Sequence, residues 1–72
     1  MNKDTAISEL KNINVRIGGI HAQTGNIINS YMKDKNADFT SVLKAVDTYS
    51  DITVLIKDLR NKYDEMIKAI SE

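Results

Sequence analysis

The sequence predicts an all-α fold, an antiparallel two-helix hairpin expected to oligomerise, and three observations predict it. Two amphipathic tracks fill almost the whole 72-residue chain. A short charged segment without proline lies between them. Nothing with the look of a catalytic or metal site interrupts either track. The reading is one small helical domain over residues 1–72, with a helix over about 4–33, a connector at 34–38 and a helix over about 39–70.

In the first track Leu10, Ile13, Ile17, Ile20, Ile27 and Tyr31 follow one another at steps of three, four or seven, and Thr24 fills a seam position. Asp4 is placed to cap the start. Glu9 sits near the positive end of the helix dipole, and Lys33 and Lys35 near its negative end. Gly18, Gly19 and Gly25 fall inside this helix, and each costs roughly 1 kcal/mol against Ala there. A second local reading therefore competes, a β-hairpin over residues 13–24. Ile13, Val15 and Ile17 alternate with polar residues, and Gly18-Gly19 suits a two-residue turn. The helix is favoured because an isolated two-stranded hairpin is marginal in water and no third strand is in view.

The second track is more regular. Val42, Tyr49, Ile56, Tyr63 and Ile70 recur every seven residues, with Ala45, Ile52, Leu59 and Met66 between them. Phe39, Val46 and Ile67 widen the stripe. This is the pattern of a helix packed along its length against another. It would run about 45–50 Å at the standard rise. Asp38 is placed to cap it. Asp58 with Lys62, and Asp64 with Lys68, stand four apart in the acid-first order that favours solvated pairs.

Composition narrows the function classes. There is no cysteine, hence no disulfide and no thiolate metal site, and a single histidine makes a zinc site within one chain a poor expectation. Ten acidic and ten basic residues cancel, and no basic stripe marks a nucleic-acid footprint. No apolar run approaches a membrane span and no secretory signal is visible, so the expected location is the cytoplasm, with signal-less export as the alternative. Two helices alone bury one face each. The missing stability is expected from a homo-oligomer or a protein partner.

The local anomaly is the stretch Ile17–Met32, which holds no Asp, Glu, Lys or Arg in a chain that is 28% charged. Charge depletion and small residues both mark contact surfaces. Gly18, Gly19, His21, Ala22, Gly25 and Asn26 are therefore the candidate interface, against the plainer reading of a neutral solvated face. The other candidates read as structural. His21 beside glycines is a polar surface residue before it is a switch, and Tyr31, Tyr49 and Tyr63 fall on the apolar seams. Asp47 and Asp51 lack a third ligand, and Gly18-Gly19 is followed by no Lys-Ser/Thr. No catalytic residue, metal or cofactor is expected.

Ala45-Val46-Asp47-Thr48-Tyr49-Ser50 resembles the Ala-aliphatic-x-x-Tyr-Ser stretch of some type III secretion needle subunits. Gln23-Thr24-Gly25-Asn26-Ile27-Ile28-Asn29 is similar to the first-helix segment of certain members, and Met66, Ile67 and Ile70 fall near their apolar C-terminal positions. The connector departs from that family in lacking a proline turn, and the Ser71-Glu72 end matches no family tail. The resemblance implies a secreted subunit that polymerises into a hollow tube through Ala45–Ile70. Three mechanisms thus stand for a non-enzymatic protein: a filament subunit, a phage-type dimeric adaptor or inhibitor, and an oligomer sequestering a small nucleotide-like ligand with the glycine amides, Arg16, His21 and Asn26.

Overall fold

A computed structural model describes all 72 residues. Helix α1 spans Lys3–Met32 and helix α2 spans Phe39–Ser71. The two pack side by side as an antiparallel hairpin measuring 53 × 16 × 12 Å across its Cα atoms. Residues 13–24 are helical throughout, so the β-hairpin alternative is overturned. The reason is cooperative. The three glycines cost helix propensity, but an unbroken α1 keeps every interior backbone group paired, and all glycine φ angles stay negative.

The ends are set by side chains. Asn2, rather than Asp4, is the N-cap of α1, its Oδ1 accepting from Thr5 N–H at 2.8 Å, while Asp4 sits in the first turn beside the helix dipole. Asp38 caps α2, accepting from the Ser41 N–H at 3.0 Å and from its hydroxyl at 3.1 Å. Between the helices Asp34 folds the connector. Its Oδ1 accepts from Asn36 N–H at 2.8 Å and its carbonyl from Ala37 N–H at 3.0 Å. The turn therefore needs neither glycine nor proline.

The seam between the helices is not the most apolar stripe of either one. On α1 the inward rows are Ile7, Asn14, His21, Ile28 and Leu10, Ile17, Thr24, with Gly18 and Gly25 beside them. On α2 they are Val42, Tyr49, Ile56, Tyr63, Ile70 and Val46, Thr53, Arg60, Ile67. Several residues expected in the seam lie outside it. Ile20 and Ile27 are 64% and 67% exposed, and Tyr31, Ile52, Leu59, Met66 and Phe39 are exposed as well. One row of each helix is shared by the expected and the observed seam, Leu10, Ile17, Thr24 on α1 and Val42, Tyr49, Ile56, Tyr63, Ile70 on α2, so the correction amounts to about 50° of rotation, half the step between successive residues. Apolar residues occupy a broader arc than one neighbouring helix can cover, and the hairpin covers its more polar edge. Only Asn14 and Ile67 are buried.

Candidate functional site

Two layers of polar side chains lock the middle of the hairpin. Asn14 is 7% exposed and bridges to α2 in both directions. Its Oδ1 accepts from Arg60 Nε at 3.1 Å, and its Nδ2 donates to Asp64 Oδ1 at 3.1 Å and to the Arg60 carbonyl at 3.4 Å. Asp64 is thus engaged across the hairpin, and the expected pairs of Asp58 with Lys62 and Asp64 with Lys68 do not form. The ion pair present is Lys62 with Glu65, at 3.4 Å and exposed. A single buried amide at a seam position fixes register, because any slip strands its polar atoms.

One layer toward the connector, the His21 and Tyr49 rings stack with centroids 4.6 Å apart and planes 9° from parallel. The Tyr49 hydroxyl donates to the His21 carbonyl at 3.3 Å, and His21 Nε2 lies 3.0 Å from Thr53 Oγ1. Thr53 gives its own hydroxyl hydrogen to the Tyr49 carbonyl at 2.9 Å. Its remaining lone pairs therefore face Nε2, which donates to them, and His21 Nδ1 is buried with no partner.

These layers account for two of the three glycines. A Cβ on Gly18 would stand 2.6 Å from Arg60 Nη1, and one on Gly25 would stand 2.6 Å from the Tyr49 hydroxyl and 3.2 Å from its Cζ. Gly18 and Gly25 thus admit side chains of α2, and they face into the hairpin rather than outward. Of the candidate interface residues, Gly18, His21 and Gly25 serve this internal contact, while Gly19, Ala22 and Asn26 remain exposed. The glycine amides belong to the α1 hydrogen-bond ladder, and Arg16 and Asn26 are exposed rather than gathered around His21. An open cleft of about 370 Å³ runs beside the polar layers, lined by Asn14, His21, Thr53, Lys57, Arg60 and Asp64 among others. Most of these polar groups already satisfy one another.

Sequence reasoning missed Asn14 and Arg60. The signal was present in the seven-residue rows Ile7–Asn14–His21–Ile28 and Val46–Thr53–Arg60–Ile67, each apolar at its ends and polar in its middle.

The face opposite that cleft is different. The register set by Asn14 against Arg60, His21 against Thr53 and Gly25 against Tyr49 places the Ile13, Ile20, Ile27 row of α1 beside the Ala45, Ile52, Leu59, Met66 row of α2. In an antiparallel pair, rows that precede the inward positions on each helix lie on the same side. One side of the hairpin is therefore a continuous apolar surface, and the outward rows next to it carry few charges, namely Glu9, Arg16 and Lys62. No helix is long and apolar enough to cross a membrane, so this surface is not part of a helical span. No protein-family profile, curated protein or solved structure matches this chain.

Proposed function

We propose that this chain is a non-enzymatic association module, a helical hairpin that works by self-assembly through its apolar face. The observation that carries the reading is the exposure of Ile20, Ile27, Ile52, Leu59 and Met66 on one side of the hairpin. Scattered exposed apolar residues need no explanation, whereas two adjoining helical rows of them form a contact surface. The contact surface thus moves from the glycine-containing stretch to the isoleucine row beside it. Two further features support the reading. The hairpin alone buries only two residues, too little to hold a 72-residue chain by itself. Its helices also carry the wide apolar arc of bundle helices rather than the narrow stripe of a two-stranded coil.

Self-association makes stability depend on chain concentration. Thermal unfolding followed by circular dichroism should move to higher temperature as concentration rises from micromolar to millimolar. A melting curve unmoved across that range overturns the reading.

A further inference from the structure

Resting on that reading, we infer that the occupant of the apolar face is a second copy of this chain, docked about a twofold axis parallel to the helices. The product is a closed four-helix bundle with both connectors at the same end.

The area fits a second copy. The chain exposes 5650 Å², whereas a globular monomer of its 8.1 kDa mass exposes about 4,500 Å². The excess, roughly 1,100 Å², is of the order that one partner contributes to a stable protein interface, about 800 Å². The face itself, given a hairpin 53 Å long and 16 Å wide, offers roughly the same.

Polarity across the seam says where the core of the assembly lies. The row Asn14, His21 of α1 and the row Thr53, Arg60 of α2 edge the polar cleft. Next come the rows Leu10, Ile17 and Tyr49, Ile56, Tyr63, and then the wholly apolar Ile13, Ile20, Ile27 and Ile52, Leu59, Met66. Polarity falls steadily from one side to the other. The polar layers are the outer edge of a larger core whose centre is beyond the apolar face.

Charge selects the orientation. With both connectors at one end, α1 of each copy lies antiparallel over α2 of the other, in the register of the hairpin itself. In that register Arg16 comes level with Asp58 of the other copy, and Glu9 with the Lys62–Glu65 ion pair of the other copy. With connectors at opposite ends, α1 lies over α1 and α2 over α2, and a twofold near the middle of the hairpin brings the two Arg16 side chains toward each other and the two Asp58 side chains likewise. Like charges in register oppose that arrangement.

The natural chain has no cysteine, so an Asn36→Cys variant can be spin-labelled at one place per copy. Sedimentation should give a discrete two-chain species, and dipolar spectroscopy a label separation of roughly 20–30 Å, a bundle width plus label arms. Ile20→Glu with Leu59→Glu should weaken the dimer at least about a hundredfold. Val54→Glu, on an exposed position toward the polar side, should leave it unchanged. If the double variant loses its helices, Ile20→Ser should still shift dimerisation measurably while Val54→Glu does not. Polymers that lengthen with concentration, as a needle subunit would form, overturn the closed dimer but leave self-association standing. A separation near the 53 Å hairpin length overturns the shared-end arrangement. A monomer at every concentration overturns both this inference and the association reading.

Discussion

The two faces that flank the seam of this hairpin are one helix width apart and are built to opposite ends. On the polar side every close approach between the helices is specific. Arg60 lies over Gly18 and is held by Asn14, and Tyr49 lies over Gly25 and is stacked on His21. On the apolar side Ile20 and Leu59 have broad hydrocarbon surface and no polar atom to satisfy. Hydrocarbon contact is strong and tolerant of sliding, whereas amide and guanidinium contacts contribute little net energy but penalise every wrong register. The polar side thus specifies how α1 meets α2, and the apolar side holds the hydrocarbon that the proposed association would bury.

Substitutions can separate these roles, and the largest effect is expected on the apolar side, where Ile20→Glu with Leu59→Glu should abolish the proposed association at micromolar chain. On the polar side the largest effect is expected at Asn14. Asn14→Ala removes the acceptor of Arg60 Nε and the donor to Asp64, leaving part-buried polar groups unpaired. It should lower stability by about 1–3 kcal/mol in denaturant titrations at fixed chain concentration. If the layer sets register, the variant should also broaden amide exchange over both helices rather than near residue 14 alone. A stability change below about 0.5 kcal/mol would show that the network is ornamental to the fold.

Gly25→Ala tests the stack. The substitution gains about 1 kcal/mol of helix propensity. It also drives a Cβ into the rim of a rigid phenol ring that has His21 on one side. Tyr49 must tilt, and the stack, worth about 0.5–1.5 kcal/mol, and the bond to the His21 carbonyl are both weakened. With the overpacking added, the net result should be a loss of about 1–2 kcal/mol, read from thermal unfolding. A stabilised Gly25→Ala protein would mean that Tyr49 is free to leave the seam.

The helices, the connector and the Asp38 cap were legible because each rests on local chemistry: heptad spacing, a run of connector residues, an acid at an N-terminus. The face was not, for a physical reason. Periodicity finds the axis of greatest hydrophobicity, which on α1 lies between the Leu10, Ile17 row and the Ile13, Ile20, Ile27 row. That axis is the centre of the whole apolar arc, and a hairpin that covers one edge of the arc has its seam elsewhere. Small and polar residues at seven-residue spacing, Asn14 with His21 and Gly18 with Gly25, marked that edge. They read as interruptions because their partners Arg60 and Tyr49 stand 42–46 and 24–28 residues away in sequence and become neighbours only once the chain turns at Asp34.

The smallest expected effect sharpens the comparison most, because it separates glycines that a sequence cannot tell apart. Gly19 adjoins Gly18, yet a Cβ there would meet nothing within 4 Å, and its φ is negative. Gly19→Ala should therefore stabilise the protein by up to about 1 kcal/mol through helix propensity and a less flexible unfolded chain. Gly18→Ala should fall near zero, because the atom in its way is the tip of the Arg60 side chain, which can swing aside at the cost of its place over α1. The order Gly19 above Gly18 above Gly25 in a common thermal assay is the signature of an internal seam. If Gly19→Ala is instead the most damaging of the three, residue 19 is covered by something outside the hairpin, and the outer surface of α1 rather than the isoleucine row is where a partner docks.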